Sequence, residues 1–200
     1  MKIDNNEYTD IIVEALRAVC HSNPAAFLVI TTAYIVPVTF LSFYSLISIK
    51  FLLASAFLGA ALLALSLIDV ATLRLPDAMT IPLAISGCLL APAGSFEEMM
   101  WRAVSAPIAY AILFAVSRSF LHFRGYPGLG LGDAKLFAAS AAWLGLEQLP
   151  FVLLLACTSA LLVIVVFASR AGKVTLNTRL PFGPFLAFGT WIVWLLGPFA

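Results

Sequence analysis

Between residues 51 and 70 the chain reads Phe-Leu-Leu-Ala-Ser-Ala-Phe-Leu-Gly-Ala-Ala-Leu-Leu-Ala-Leu-Ser-Leu-Ile-Asp-Val, twenty residues with a single charge. About 20 apolar residues in a helix cross the hydrocarbon of a bilayer. The pattern recurs along the chain. Seven candidate spans run roughly over 25–47, 51–70, 78–94, 101–121, 132–146, 150–169 and 182–199. Breakers fall between them, at Pro76, Pro92 to Gly94, Gly125 to Gly132, Pro150 and Pro181. The expectation is an all-α, polytopic membrane helical bundle of about seven transmembrane helices. Composition agrees: 62% of residues are hydrophobic and 10% charged. A soluble domain is about 45–50% apolar and about 25% charged. A net charge of +1 points to no nucleic-acid partner.

The first 22 residues mix Asp4, Glu7, Asp10 and Glu14 with Lys2 and Arg17, which is no signal-peptide pattern. Residues 9–20 read as a short amphipathic helix, with Ile12, Leu16 and Val19 on one face. The chain therefore divides into an interfacial segment, 1–22, and a membrane-embedded domain, 23–200. Cys20, Cys88 and Cys157 have no zinc-pair or disulfide spacing and are expected to be small buried hydrophobes. His21 and His122 lie outside the spans and carry no expected role.

Orientation follows from the basic residues. With the N-terminus in the cytoplasm, Lys2, Arg17, Arg74, Arg118, Arg124, Lys135, Arg170, Lys173 and Arg179 fall on the cytoplasmic side. Only Lys50 and Arg102 fall outside, which places the C-terminus outside as well. The expected location is a cytoplasmic membrane, crossed several times.

Few ionisable groups remain at membrane depth. Asp69 ends the second span, and Asp133 opens the fifth after Gly128-Leu-Gly-Leu-Gly132. A charge at the bilayer centre costs about 2.5–3.5 kcal/mol on insertion scales, less near a span end. An isolated carboxylate there still needs a reason. The second span runs outward to inward and the fifth inward to outward, so both carboxylates sit at one depth, on the cytoplasmic side. Held within a few ångströms, two carboxylates cannot both ionise freely and share a proton. Such a pair suits hydrolysis, one carboxylate activating water while the other polarises a carbonyl. The plain alternatives are an interfacial Asp69 meeting Arg74, and Asp133 as a helix N-cap. Gly130 and Gly132 leave no side chain beside Asp133, which admits an extended substrate backbone or a positive φ; a flexible loop is the alternative.

Three segments resemble the bacterial prepilin peptidases, or type IV leader peptidases, of the GxGD aspartic protease class. They are Ile68-Asp-Val-Ala-Thr-Leu-Arg-Leu-Pro-Asp-Ala-Met-Thr80, Gly128-Leu-Gly-Leu-Gly-Asp-Ala-Lys-Leu136 with Ala142-Trp-Leu-Gly145, and Leu180-Pro-Phe-Gly-Pro-Phe-Leu-Ala187. The resemblance covers roughly residues 50–200. It implies that Asp69 and Asp133 are the catalytic aspartates, with no metal or organic cofactor. It implies as substrate the leader of a type IV prepilin, pseudopilin or Flp-type pilin, cut at the cytoplasmic face. Longer family members carry a cytoplasmic domain with paired Cys-x-x-Cys motifs after their first span and also N-methylate the product. Here residues 48–50 form that whole connection, so peptidase activity without methyltransferase activity is expected.

Other residues are assigned around this pair. Asp77 is read as an N-cap for the third span or a substrate contact. Lys135 points about 200° round the helix from Asp133, toward a lipid phosphate or the substrate. Lys135 or Arg74 is a candidate partner for an acidic residue of the substrate. Pro181, Gly183 and Pro184 line the cleft with irregular backbone, or form a plain turn. Two other classes compete. A non-enzymatic scaffold or carrier of a pilus or secretion system is one, although a carrier's repeated halves are not evident. A protease of the presenilin or signal-peptide-peptidase kind is the other. Ile68-Asp69 and Pro-Phe-Gly-Pro disfavour it, since those enzymes use Tyr-Asp and Pro-Ala-Leu. Membrane lipid is the expected surrounding, and no oligomeric state is specified.

Overall fold

The computed structural model describes residues 49–90, 95–125, 130–171 and 181–197. The expected first span over 25–47, residues 1–22 with the 9–20 helix, Cys20 and His21 lie outside the described residues. So do the Pro92 to Gly94 turn, Gly128, Lys173 and Arg179. Among the described residues six α-helices follow one another: α1 (Ile49–Thr72), α2 (Asp77–Leu90), α3 (Phe96–Arg124), α4 (Leu131–Leu144), α5 (Leu149–Ala171) and α6 (Gly183–Leu196). No strand occurs among the described residues. The helices match the last six expected spans, with ends displaced by no more than five residues.

Local chemistry sets the ends. Ser95 sits in extended backbone before α3 and its hydroxyl accepts the Glu98 N–H at 3.3 Å, the usual N-cap bond. Gly125 closes α3 at φ 77°, returning its N–H to the Leu121 carbonyl at 2.9 Å. α1 closes differently. Leu73 takes φ 52° and donates its N–H to the Asp69 carbonyl at 2.8 Å. A left-handed leucine is uncommon and signals a turn held by its surroundings. Asp77 begins α2 rather than capping it. The Pro76 carbonyl takes the Met79 and Thr80 N–H groups, so Pro76 holds the cap position.

α4 and α6 form the middle of the bundle. α4 packs against α2, α3, α5 and α6, and α6 against α1, α4 and α5. Each has fourteen residues, a rise of about 21 Å against about 30 Å of hydrocarbon. Protein covers both, so neither needs to span on its own. α1 and α3, at 24 and 29 residues, are long and apolar enough to cross a membrane. α3 turns much of its apolar side outward, including Trp101, Ile112 and Phe123. Cys88 is half-buried and Cys157 exposed, which corrects the expectation that the thiols are buried. A thiol is only weakly polar and needs no burial.

In lipid the apolar surface gives helices little reason to associate, so close packing and interhelical hydrogen bonds hold them together. Both are present. Trp143 of α4 donates its indole N–H to the Leu83 carbonyl of α2 at 2.9 Å. Trp194 of α6 donates to Ser55 of α1 at 2.8 Å. Ser140 and Thr190 join α4 to α6 at 2.7 Å. Gly189 lets α6 approach α5 so closely that a methyl there would stand 2.6 Å from the Val152 carbonyl oxygen.

The far end of α4 has an ionic cap. Ser105 of α3 donates to the Ala141 carbonyl at 2.9 Å, and the Arg102 guanidinium donates to the Trp143 carbonyl. The last carbonyls of a helix have no partner within it, and a cation there also favours the dipole. This gives a physical reason for one of the two basic residues expected on the outer side. Arg102→Ala is expected to lower stability by about 1.5–3 kcal/mol, the usual worth of a hydrogen bond to a charged group. Thermal unfolding in detergent measures it; an unchanged midpoint would remove Arg102 from the account of α4.

Candidate functional site

One end of the bundle collects the C-terminus of α1 and the N-termini of α2, α4 and α6. The three sequence segments meet there.

Asp69 lies in the last turn of α1 and is 5% exposed. Its Oδ2 accepts the Gly183 N–H at 3.0 Å. Gly183 is the first residue of α6, so the carboxylate meets the N-terminus of that helix, where N–H groups lack partners and the dipole favours an anion. Pro184 follows at a first-turn position, where its missing N–H costs nothing. A methyl on Gly183 would stand 2.6 Å from Asp69 Oδ2 and 2.9 Å from Cγ. Glycine is therefore required by the carboxylate itself. Pro181-Phe-Gly-Pro184 had been expected as irregular backbone or a turn; two of its residues begin α6, and Pro181 and Phe182 lead into it.

Asp133 is the third residue of α4 and half-buried. Gly130 is the N-cap residue, and its N–H donates back to the Asp133 carboxylate. This is the carboxylate half of a capping box. The N-cap alternative thus describes part of what Asp133 does, from the third helical position rather than the cap. Asp69 stands close enough for its charge to act on Asp133. Two carboxylates on separate helices therefore stand close enough to interact, each with an oxygen bonded to a backbone N–H.

The glycines serve the chain's own packing. Gly130 has φ −69°, and positive φ among the described glycines is confined to Gly125 and Gly145, so neither Gly130 nor Gly132 adopts left-handed backbone. A methyl on Gly130 would lie 3.2 Å from Asp133 Oδ2, and one on Gly132 would lie 3.1 Å from Leu75 Cβ. Space at Gly130 lets the carboxylate fold back. Space at Gly132 admits Leu75, a buried residue of the connection between α1 and α2.

The ammonium of Lys135 pairs with the Asp77 carboxylate of α2. Arg74 is exposed, makes no ion pair with Asp69, and is tied through its backbone N–H to the Thr72 hydroxyl at 3.3 Å. The structure thus brings together Asp69, Asp133, Gly130, Gly132, Gly183, Asp77 and Lys135. It leaves the Arg74 side chain aside, and Pro181 and Pro184 flank the Gly183 contact. Sequence reasoning missed Leu73 and Leu75. The apolar residue before Pro76 was the available signal for Leu75; nothing marks Leu73.

Comparison with known proteins bears on the same segments. The profile of the type IV leader peptidase family matches residues 56–165. The prepilin leader peptidase/N-methyltransferase of Burkholderia pseudomallei is 42% identical over 137 residues, which is 68% of this chain and 44% of that protein. The protein of the same description from Aeromonas hydrophila is 36% identical over 150 residues, 72% of this chain and 50% of that protein. That of Pectobacterium carotovorum subsp. carotovorum is 38% identical over 128 residues, 64% and 46% respectively. The chain spans about half the length of these curated relatives. No solved structure matches significantly. A family match over more than half the chain, containing both aspartates, leads to one assignment: the chain belongs to the type IV leader peptidase family.

Proposed function

We propose that this protein is an intramembrane aspartic endopeptidase that removes the leader peptides of type IV prepilins or pseudopilins, with Asp69 and Asp133 as its catalytic pair. The observation that carries the reading is the pairing itself. Two carboxylates from the ends of different helices lie close enough for the charge of one to act on the other, each oriented by a backbone N–H, in a chain of this family. Relatives named prepilin leader peptidase support the substrate class.

The chemistry follows from the shared proton. The ionised carboxylate takes a proton from water as its oxygen attacks the scissile carbonyl carbon. The protonated carboxyl gives its proton to the carbonyl oxygen. In the second half the C–N bond breaks, the leaving nitrogen takes the proton first removed from water, and one hydroxyl of the diol returns its proton to the other carboxylate, which leaves a carboxylic acid and restores the starting pair. Binding Asp69 to Gly183 and Asp133 to Gly130 holds both carboxylates in place before substrate arrives, which is how acid–base pairs gain rate without reorganisation.

The distribution of Lys and Arg supports a multi-pass protein with a cytoplasmic N-terminus and an outer C-terminus, so that this end of the bundle faces the cytoplasm. The interfacial segment 1–22 and the membrane domain 23–200 remain part of the same reading, as does cleavage without N-methylation. Co-expression with a candidate prepilin, read by a gel shift and by mass spectrometry of the mature N-terminus, tests it. The expected product lacks the leader and has an unmethylated N-terminus. A full-length prepilin after co-expression would overturn the peptidase reading, and a methylated product made by this chain alone would overturn the restriction to peptidase.

A further inference from the structure

The connection between α1 and α2 leaves Asp69 and touches α4 twice within the next eight residues. Leu75 packs on Gly132, and Asp77 pairs with Lys135. Asp133 lies between those two points of contact in the sequence. We propose that the Lys135–Asp77 ion pair is a positioning clamp, fixing the start of α4 so that Asp133 meets Asp69. The proposal rests on the peptidase reading for its catalytic consequence.

Asp133 itself takes its backbone bond from Gly130, which belongs to the same helix start and moves with it. That bond orients the carboxylate on α4 but does not fix α4 against α1. Helix starts lack internal partners for their first N–H groups and fray readily. The partner on the other side is better anchored. Leu73, in left-handed backbone, closes α1 onto the Asp69 carbonyl, and Thr72 donates its hydroxyl to the Ile68 carbonyl at 2.8 Å. Thr80, fully buried, ties the first turn of α2 back to the Pro76 carbonyl. The path from Asp69 to Asp77 is thus short and pinned, and Asp77 extends it to α4. Lys135 and Asp77 are both partly exposed, so their pair contributes little to global stability. A pair of that kind, spanning 58 residues beside the aspartates, has a geometric use. Misplacing a reacting group by about 1 Å costs about 10²-fold in rate.

A double-mutant cycle tests this, using charge-removing variants of similar shape on purified protein in nanodiscs with a prepilin substrate. Asp77→Asn and Lys135→Gln are each expected to lower kcat by about 10- to 100-fold with KM nearly unchanged. The double variant is expected to lose no more than the worse single, and Lys135→Arg to stay near wild type. Backbone hydrogen exchange over residues 131–136 should rise in the same variants, with no substrate present. Single variants that raise KM and leave kcat intact would overturn the clamp in favour of substrate contact. Full kcat, or losses that simply multiply in the double variant, would overturn it too. The exchange measurement separates the two readings. Faster exchange in the variants of a protein that cuts no prepilin leaves the clamp standing and removes the peptidase. Unchanged exchange in an active peptidase does the reverse.

Discussion

Asp69→Asn and Asp133→Asn are each expected to lower leader cleavage by about 10²–10⁴-fold, the range an acid–base group contributes. Asparagine is the informative replacement at both positions. It keeps the side-chain volume and an oxygen that can still accept the backbone N–H, from Gly183 in one instance and Gly130 in the other. It cannot take a proton from water or give one to a carbonyl. The loss is therefore chemical rather than architectural, and thermal unfolding of both variants should stay close to wild type. Because the two groups act as one unit, the double variant should be about as inactive as either single. Cleavage within a few-fold of wild type in either variant would remove that aspartate from the mechanism. A gel shift of co-expressed prepilin, followed over time, reads the range.

The pair was legible in the sequence because lipid makes carboxylates conspicuous. Asp69 ends a run that is otherwise apolar, and alternation of the spans brings it to the same end as Asp133. The helices were legible for the same reason, since apolar stretches between Pro and Gly breakers leave few other arrangements. What the pattern could not show was which helices would be covered by others. α4 carries Gly132, Asp133 and Lys135 in its first turn and a half, and reads as a weak span. Its place at the centre, against four neighbours, removes the need for length or uniform apolarity. Four of its five alanines, Ala134, Ala139, Ala141 and Ala142, are buried, which only the packing reveals.

The glycines around Asp133 illustrate a second limit. Their presence was visible, but its purpose depended on a residue elsewhere in the chain. Gly132 is small for Leu75, and Leu75 occupies that place because Leu73 adopts a left-handed turn that no local signal announces. Likewise Lys135 reads as a free cation on a helix until α2 brings Asp77 to it. Periodicity reports faces of single helices. It does not report partners that lie 58 residues apart.

Gly183 carries the second large expectation. Gly183→Ala should lower cleavage by about 10²-fold while leaving the bundle folded. Alanine favours a helix over glycine by about 0.5–1 kcal/mol, so α6 as a helix gains from the change. The cost falls on Asp69, because the new methyl would stand 2.6 Å from Oδ2, 2.9 Å from Cγ and 3.2 Å from Cβ. Real carbon contacts do not approach so closely, and Asp69 is buried, so the strain cannot be relieved by moving the side chain out into open space. Either the carboxylate rotates and gives up the Gly183 N–H, or α6 shifts away from α1. Both outcomes move one member of the pair relative to the other. Gly197→Ala provides the matched control, since a methyl there meets nothing within 4 Å at the opposite end of the same helix. Should Gly183→Ala cut prepilin as fast as Gly197→Ala, Asp69 does not need the position in which α6 holds it. A stable but inactive Gly183→Ala would instead tie the third sequence segment to the pair by geometry: it places a helix N-terminus, free of any side chain, against the first aspartate.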